Sequence, residues 1–429
     1  MTDYRADRNY AATLDRNDPL TGIREQFIIP KKSDGKERIY FLGNSLGLEP
    51  RSARPAVERI LEEWGSLGVE AHSHAAEPWM TYHDRMNEMT AKIVGASSDE
   101  VAVMNALTIN LHLMLISFYR PTAVRNKIFM ESKAFPSDQY AVKSHIALHG
   151  YRDSLIELQP RPGEVTIRTE EIEDFLYSEG ATVALLLLAG INYYSGQAFK
   201  MERITRAAHA RGCIVGFDLA HAVGNIELRL HDWNVDFAAW CSYKYLNGGP
   251  GAPGGIFVHR NHARRKDILR LAGWWGQNRE TRFQMGPDFD PIPAAEGWQV
   301  SNHPILQLAA LRPALDQFEA IGMRNLREKS ERLTGYLEFL LDRLQSDAFT
   351  VITPRDPKQR GAQLSLRMHR NGKAVFQALN EAGVSCDWRE PDVIRVAPTP
   401  MYNRFTEVFD FAEIFSQLIG AKDGLSSRR

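Results

Sequence analysis

The sequence predicts an α/β protein with a mostly parallel sheet in a large domain and a smaller α/β domain at the C-terminus. Short apolar runs alternate with segments of helical periodicity between residues 101 and 258, the pattern of strand–helix–strand units. One run, 183–188, is continuously apolar, as expected of a strand buried on both faces of a sheet. A second alternating stretch begins at residue 349, after a long helical segment. These observations indicate two units rather than one.

The first 100 residues carry few strand signals. Residues 1–40 are polar and predicted to be irregular, and the glycines and Asn-Ser pair of 41–48 indicate a loop. Helical spacing predicts helices over 53–64 and 80–94, the second of which ends at Gly95 as a C-terminal cap.

The central part of the chain is predicted to form the large sheet. Its predicted strands are 101–104, 127–130, 183–188, 213–217, 237–241 and 255–258. The predicted helices between them are 109–119 and 202–211. Strands that alternate with helices favour a parallel sheet covered on both faces.

The C-terminal part reads as a small α/β unit. A long loop is predicted over 284–304 and a long amphipathic helix over 325–345. Strands are predicted over 349–352, 363–366 and 393–396, with helices over 373–382 and from about Arg404 onward. The tail 421–429 is predicted to be frayed.

Composition excludes several classes of protein. Apolar residues make up 44% and charged residues 24% of the 429-residue chain, which excludes a disordered, collagen-like or disulfide-scaffold protein. The net charge is −1, without the basic excess of a nucleic-acid or anionic-membrane binder. The longest apolar run, 181–191, is shorter than the roughly 20 residues that cross a bilayer. Three cysteines, no metal-binding spacing and a charged N-terminus predict a cytoplasmic enzyme.

Two predicted strands end in residues that could perform chemistry. Asp218 ends one strand within GFDLAH, and Lys244 follows another strand within CSYKYLN. Open α/β sheets bind ligands at the carboxyl ends of their strands. A pyridoxal phosphate cofactor needs a lysine amine for covalent attachment and a carboxylate partner for its pyridinium nitrogen.

Each of these two residues has a simpler interpretation. Asp218 could be a strand-end turn residue, and Lys244 could be a solvated surface lysine. The combination of both on neighbouring strands, with Tyr243 and His221 beside them, favours the cofactor site.

The stretch from Gly249 to Gly254 matches G-x-G-x-x-G. A dinucleotide site needs a strand before this motif and a helix after it, whereas here a strand follows and two prolines interrupt. We therefore reject a nicotinamide site and interpret the glycines as a tight loop near the cofactor.

A phosphate would bind where a strand leads into a helix. Leu107 and Thr108 are predicted in the first turn of such a helix, where backbone N–H groups are available; an ordinary helix cap is the alternative. Phe135, within AFPSD, could stack on an aromatic ring with Asp138 near it, or could be a packed aromatic residue before a proline turn.

Three further features have open interpretations. Arg395 ends a strand in VIRVAP and could bind a substrate carboxylate bidentately or form a surface ion pair. Trp274 and Trp275 between glycines form an unusual aromatic pair, for which hydrophobic packing is the default. His72 and His74 flank Ser73, but no carboxylate or cysteine at ligand spacing supports a metal site.

At these residues the chain resembles the kynureninase family, fold-type-I pyridoxal-phosphate enzymes of the aminotransferase class V group. The similar stretches extend from Tyr40 to about Ile419 and are YFLGNSLGL, MNALTINLHL, KAFPSDQYA, GCIVGFDLAHAVGNIELRLHDWNVDFAAWCSYKYLN, GWWGQ, TRFQM, SNHPI and VIRVAPTPMYNRF. Long runs in one order are far more specific than any short motif.

The resemblance implies a role for each matching residue. Lys244, Asp218 and Tyr243 would be catalytic. The cofactor would contact Leu107, Thr108, Phe135, Pro136, Ser137, Asp138, Ala189, Asp218, His221, Tyr243, Lys244, Trp274 and Asn302. The substrate would contact Ser45, His72, Ser301, Asn302 and Arg395. Ala189 is a departure, because members of the family carry a hydroxyl residue there, and the missing hydrogen bond would weaken cofactor binding.

The resemblance also implies the organisation of the protein. Residues 1–50 would be an N-terminal segment that contributes to the active site, 51–315 the large pyridoxal-phosphate domain, and 316–429 the small C-terminal domain. Trp274 and Asn302 would reach the active site of the other subunit in a homodimer. The substrate would be kynurenine or, preferentially, 3-hydroxykynurenine.

Two other functions share part of this pattern. A cysteine desulfurase would share Asp218 and Lys244 but needs a catalytic cysteine on a mobile loop, and Cys386 lies in strand-like GVSCDW. A non-catalytic pyridoxal-phosphate regulator would carry a DNA-binding module, and no basic helix-turn-helix segment is visible.

Overall fold

A computed structural model describes residues 4–420. The described chain divides into a large unit, 53–193 and 199–320, and a small unit, 4–52, 194–198 and 321–420. The N-terminal segment thus belongs with the C-terminal part of the chain, and the division predicted between residues 315 and 316 lies inside a helix. The tail 421–429, predicted to be frayed, lies outside the described residues.

Within residues 4–420 the structure has the following helices and strands. The helices are α1 (Arg8–Arg16), α2 (Ala53–Leu67), α3 (Ala71–His74), α4 (Asp84–Val94), α5 (Leu107–Phe118), α6 (Pro136–Leu148), α7 (Thr169–Glu179), α8 (Met201–His209), α9 (Arg260–Ala263), α10 (Ile305–Ile321), α11 (Met323–Arg343), α12 (Gly372–Glu381) and α13 (Phe405–Leu418). The strands are β1 (Ile39–Tyr40), β2 (Val101–Val103), β3 (Lys127–Glu131), β4 (Leu155–Leu158), β5 (Val183–Ala189), β6 (Ile214–Asp218), β7 (Phe237–Trp240), β8 (Gly255–Val258), β9 (Phe349–Val351), β10 (Leu364–Met368), β11 (Val384–Ser385), β12 (Asp387–Arg389) and β13 (Val393–Val396).

A seven-stranded sheet forms the centre of the large unit. Its strand order is β2-β8-β7-β6-β5-β3-β4, and only β8 pairs antiparallel with its neighbours. This confirms the predicted mostly parallel sheet. The strands β6, β7 and β8 are buried almost throughout, because helices must cover both faces of such a sheet.

The register of the central strands brings their carboxyl ends to one level. Ala189 at the end of β5 pairs with Asp218 at the end of β6, and Asp218 pairs with Ala239 in β7. The backbone N–H of Gly190 also donates to the carbonyl oxygen of Asp218 at 2.7 Å. The residues that follow these strands therefore share one edge of the sheet, where parallel sheets bind ligands.

The prediction that residues 1–40 are irregular was wrong, because α1 lies within them. Asp7 caps α1 by accepting the N–H groups of Asn9 and Tyr10 at 2.6 and 3.3 Å, and Ala11 is completely buried. Such a short, polar helix is easily missed in the sequence, because tertiary packing rather than propensity stabilises it. The pattern also missed the helices α3, α6, α7, α9 and α10 and the strands β1 and β4.

The helix predicted over 80–94 begins later, at Asp84. The residues before this helix form successive turns. The N–H of Thr81 donates to the carbonyl oxygen of Pro78, and the N–H of Asp84 donates to the carbonyl oxygen of Thr81. Its predicted end at Gly95 is confirmed, since Gly95 is left-handed with φ 64°. A Cβ atom there would lie 2.2 Å from the carbonyl oxygen of Leu228, so the position requires glycine.

A four-stranded antiparallel sheet, in the order β12-β13-β10-β9, organises the small unit. Its core is rich in leucine and phenylalanine, for example Phe41, Leu340, Leu364 and Phe411. Residues 194–198 join this unit through hydrogen bonds: Thr353 Oγ1 donates to the carbonyl of Ser195 at 2.6 Å. Among residues 4–420, no helix combines the length and apolar character that crossing a membrane requires.

Candidate active site

Asp218 and Lys244 lie at the carboxyl edge of the large sheet, as predicted. Asp218 is 6% exposed, and its Oδ1 accepts the N–H of Ala220 at 2.7 Å. Lys244 follows β7 and is half-buried, with Nζ 3.1 Å from Nε2 of His221. The edge therefore combines a carboxylate, an amine and an imidazole, the groups that a pyridoxal phosphate site needs.

Aromatic rings flank the lysine. The Nζ atom of Lys244 lies 6.0 Å from the ring centroid of Phe135 and 5.9 Å from that of Tyr243. Phe135 packs edge-on against Tyr193, with centroids 5.3 Å apart, yet remains 44% exposed. An exposed aromatic face beside the reactive amine is suited to stacking on a planar heteroaromatic ring.

Two helix starts carry hydroxyl groups that face each other. Thr108 Oγ1 in the first turn of α5 lies 2.8 Å from Ser137 Oγ in the first turn of α6. Ala106 precedes α5 without a side-chain cap, so the first N–H groups, including those of Leu107 and Thr108, are not capped by that residue. Pro136 is the first residue of α6, where the sequence predicted only a turn. Paired hydroxyls at two helix N-termini suit a phosphate group.

A second carboxyl group accompanies Asp218. Asp138 is 3% exposed, and its side chain forms a hydrogen bond with Asp218. Burial, followed by the charge of Asp218, raises the pKa of Asp138 well above its usual value. Burial and the neighbouring Asp218 thus both disfavour the charged form of the Asp138 carboxyl. Asp138 Oδ1 is buried and has no hydrogen-bond partner in the described structure, which leaves an acceptor for a bound group.

Tyr243 lies beside a buried thiol. Its side chain forms a hydrogen bond with that of Cys241, which is 4% exposed. Burial raises the pKa of the Tyr243 hydroxyl, and Cys241 and Asp218 raise it further. Tyr243 therefore keeps its proton at neutral pH and can donate it in a hydrogen bond.

The residues at this edge fit pyridoxal phosphate. Lys244 can bind the aldehyde carbon, the Asp138–Asp218 pair can hold the protonated ring nitrogen, and Phe135 can cover the ring. Thr108 and Ser137 can hold the phosphate. Ala189 pairs with Asp218 and is partly buried, so the methyl group at this position supplies no hydroxyl to the ligand.

Two residues predicted to contact the aromatic ring of the substrate, Ser301 and Asn302, lie on a loop of the large unit. Ser301 and Asn302 are exposed, and no hydrogen bond to either side chain is found within residues 4–420. The next residue anchors the loop: His303 is 6% exposed and stacks on His83 with centroids 3.8 Å apart. Burial, together with His83, lowers the pKa of His303 to about 2, so this anchor stays neutral.

Two other residues predicted to lie in the site, His72 and Trp274, are also accessible to solvent. His72 in α3 is half-buried, with Nδ1 3.0 Å from the carbonyl oxygen of Val69 and its ring edge-on to Trp79. Trp274 is 48% exposed, and its Nε1 donates to the carbonyl of Arg282 at 3.2 Å. In the described part of the chain, no hydrogen bond or ring contact links His72 to Ser301 or Asn302, and a shared pocket stays a prediction.

Ser45 and Arg395 belong to the small unit. Ser45 is half-buried in the 41–48 loop. Arg395 is completely buried in β13, and Asp387 of β12 accepts from its Nε at 2.7 Å and also from Nη2. The alternative of a surface ion pair was therefore wrong, because the pair is buried.

Known proteins were compared with this sequence and fold. A family model described as the kynureninase C-terminal domain matches residues 326–415. A kynureninase of Myxococcus xanthus (strain DK1622) is 55% identical over 96% of this chain and 97% of its own length. A kynureninase of Koribacter versatilis (strain Ellin345) is 53% identical over 95% of this chain and 96% of its own length. The chain belongs to the kynureninase family. Members are pyridoxal-phosphate-dependent hydrolases, and the chain has that cofactor dependence and kynureninase activity.

Solved structures show the same fold at low sequence identity. A cysteine desulfurase from Thermococcus onnurineus NA1 superposes with a TM-score of 0.77 at 16% identity, covering 93% of this chain and 98% of that one. A mutant of C-DES, with glycine covalently linked to its pyridoxal phosphate cofactor, gives a TM-score of 0.76 at 16% identity, covering 91% of this chain and 98% of that one. These likenesses confirm the fold-type-I architecture of the kynureninase family member.

The desulfurase alternative does not fit the side chains. Cys386 is 4% exposed, between β11 and β12, and burial raises the pKa of its thiol to about 12. A desulfurase nucleophile must be accessible and ionised. The fold is shared with desulfurases, whereas the sequence similarity is to kynureninases.

Sequence reasoning missed three residues near the catalytic edge. Glu131 ends β3, Asn192 follows β5, and Cys241 follows β7. Glu131 had a detectable signal, because a carboxylate directly follows the buried run of β3 at a strand end, just as Asp218 does in β6.

Proposed function

We propose that the site hydrolyses the bond between the β- and γ-carbons of 3-hydroxykynurenine in preference to kynurenine. The products would be L-alanine and 3-hydroxyanthranilate or anthranilate. Membership of the kynureninase family supports the reaction, and the single structural observation that carries it is the contact between Lys244 and His221 beside the Asp138–Asp218 pair.

Bound pyridoxal phosphate supplies an electron sink conjugated with the substrate α-carbon. Asp218, with Asp138 beside it, would hold the protonated ring nitrogen and so strengthen that sink. The paired hydroxyls of Thr108 and Ser137, with the first turn of α5, would hold the phosphate.

Two groups move protons at the substrate. Lys244 would act as the general base that takes the α-proton, and the 3.1 Å contact with His221 orients its amine. Tyr243 keeps its proton, since burial raises the pKa of the hydroxyl. It can therefore donate to the γ-carbonyl oxygen while water adds to that carbon.

The substrate is proposed to bind at both of its ends. Arg395 would bind the α-carboxylate, since a guanidinium binds carboxylates bidentately. Ser45, His72, Ser301 and Asn302 would surround the aromatic ring. A 3-hydroxyl group offers these polar side chains both a donor and an acceptor, so a substrate without it would leave them without that hydrogen bond.

The enzyme is proposed to be a cytoplasmic homodimer with a shared active site. Trp274 is half-exposed, and Ser301 and Asn302 have no partner for their side chains within residues 4–420. The segment around Trp274 also exposes several large apolar side chains: Leu269, Leu271, Phe283 and Met285. An exposed apolar surface rimmed by polar groups is typical of a subunit interface. Formation of 3-hydroxyanthranilate would place the enzyme in tryptophan degradation toward NAD.

The purified protein should be incubated with each substrate, and L-alanine should be measured. We expect a kcat/KM for 3-hydroxykynurenine at least about tenfold above that for kynurenine. Equal values, or a preference for kynurenine, would contradict the proposed specificity. Absence of alanine with both substrates would contradict the proposed reaction itself.

A further inference from the structure

Glu131 is a buried carboxyl group that has no role in the steps above. It is the last residue of β3 and is 1% exposed. Its Oε1 and Oε2 lie 3.4 and 3.3 Å from the backbone nitrogen of Ala189, the last residue of β5. The ladder between β3 and β5 has ended before that point, at Phe129 and Leu186. The side chain of Glu131 thus accepts the N–H of Ala189, for which the ladder between β3 and β5 provides no carbonyl oxygen.

The contact between Glu131 and Ala189 is linked to Asp218 through the backbone. Ala189 pairs with Asp218 across β5 and β6, and the next N–H, of Gly190, donates to the Asp218 carbonyl at 2.7 Å. Glu131 also forms a hydrogen bond with the side chain of Asn192, which follows β5. The carboxyl of Glu131 therefore fixes the backbone segment that lies against Asp218.

The electrostatic surroundings disfavour a charge on Glu131. Both partners described above are neutral amides, and the carboxyl groups that interact with Glu131 electrostatically are Asp218 of β6 and Asp138 of α6, whereas Lys244 acts on Asp138. Burial is the main cause that raises the pKa of Glu131 to about 8, with a further contribution from Asp218, against the hydrogen bonds from Ala189 and Asn192. At neutral pH the group therefore holds a proton.

We propose that Glu131 is a positioning residue for the cofactor site: its buried carboxyl, in the neutral form, fixes the end of β5 without placing a further negative charge beside Asp138 and Asp218. The inference rests on the role proposed for Asp218. It explains why a carboxyl group is tolerated where two others already lie, since an ionised group in this position would be repelled by its neighbours.

The first test compares Glu131→Gln with Glu131→Ala by titrating the apoprotein with pyridoxal phosphate. Glutamine keeps the size, the neutral charge and an acceptor oxygen, so we expect a dissociation constant within about threefold of the parent value. Alanine leaves the N–H of Ala189 unpaired, and we expect binding to be weaker by about tenfold or more. Equal weakening by both substitutions would overturn the proposal, because it would show that a negative charge is needed.

The second test measures the proton directly in the full-length apoprotein. The infrared spectrum at pH 7 should contain a protonated-carboxyl band that is absent from Glu131→Gln. Raising the pH through about 8 should remove the same band from the parent protein. A parent-minus-variant spectrum without this band would overturn the proposal. Neither readout requires turnover, so a failure of the proposed substrate preference or reaction is distinguishable from a failure of this inference.

Discussion

The Nζ atom of Lys244 lies 3.1 Å from Nε2 of His221, at the edge where β6 and β7 end. The imidazole and the amine form a hydrogen bond across the loops that follow two neighbouring strands. A second contact holds the loop after β6, because Asn225 Nδ2 donates to the carbonyl oxygen of His221 at 2.8 Å. The lysine is therefore fixed by residues distant in the sequence rather than free on the surface.

Lys244→Ala should abolish both turnover and covalent attachment of the cofactor. No other amine takes its place beside Asp218 in the proposed site. The measurement is the absorbance of the purified protein, expected to be yellow in the parent only, together with mass spectrometry after borohydride reduction. Lys143→Ala, at an exposed position of α6, is the control and should behave as the parent. Normal turnover by Lys244→Ala would refute the mechanism.

Asp218→Ala should remain folded but lose activity by on the order of a hundredfold or more, because the ring nitrogen loses its charged partner. Turnover and thermal unfolding should be measured side by side. Asp174→Ala, at an exposed position of α7, controls for the loss of a carboxylate. Near-normal activity would show that Asp138 or another group holds the ring nitrogen.

A shared active site predicts complementation between two inactive subunits. In a heterodimer of Lys244→Ala and Trp274→Ala chains, one of the two sites would be intact. We therefore expect part of the activity to return when the variants are mixed, measured on heterodimers isolated with two different tags. Confirmed heterodimers without activity would count against a role for Trp274 across the interface.

Asn302→Ala should reduce the preference for 3-hydroxykynurenine. If its amide binds the 3-hydroxyl, the substitution lowers kcat/KM for that substrate by about tenfold and changes kynurenine turnover little. The ratio of the two constants is the measurement. A parallel loss with both substrates would indicate that Asn302 contacts the cofactor rather than the hydroxyl.

Acid stability should depend on Asp236, a carboxylate between two histidines. Its Oδ2 accepts from His209 Nε2 at 2.8 Å and its Oδ1 from His262 Nε2 at 2.6 Å. Burial raises the pKa of Asp236, but the hydrogen bonds from the two histidines, the charge of His209 and the N–H of Val215 together lower it by more, so the net shift is downward. The ionised form is therefore the one that the folded state favours.

Because the folded pKa of Asp236 is lowered, its stabilisation is present above the unfolded value and is lost as the pH falls through the folded value. Asp236→Asn should lower the free energy of unfolding by about 2 kcal/mol at pH 7, and this difference should shrink below about pH 4. Denaturant unfolding at several pH values measures it, with exposed Asp232→Asn as the control. A difference that is independent of pH would contradict the assignment.

Local pattern was sufficient for much of the fold and of the site. The bounds of the central strands and helices that were predicted lie within a few residues of those observed, because buried strands and amphipathic helices have distinct periods, whereas β4, α6 and α7 were missed. Asp218 and Lys244 could be singled out because each follows a buried strand. The N-terminal helix α1 could not, since it is stabilised by packing in the small unit that the sequence pattern does not show.

The sequence by itself determined the α/β class, the strand-end positions of Asp218 and Lys244, and the family, since all three are properties of residues near one another in the chain or of long matching runs. Only the tertiary structure decided that Asp387 binds Arg395, that Asp138 forms a hydrogen bond with Asp218, and that Glu131 holds Ala189. These are contacts between different strands and helices. Their partners are chosen by sheet register and packing, and their charge states by burial, neither of which is written in local spacing.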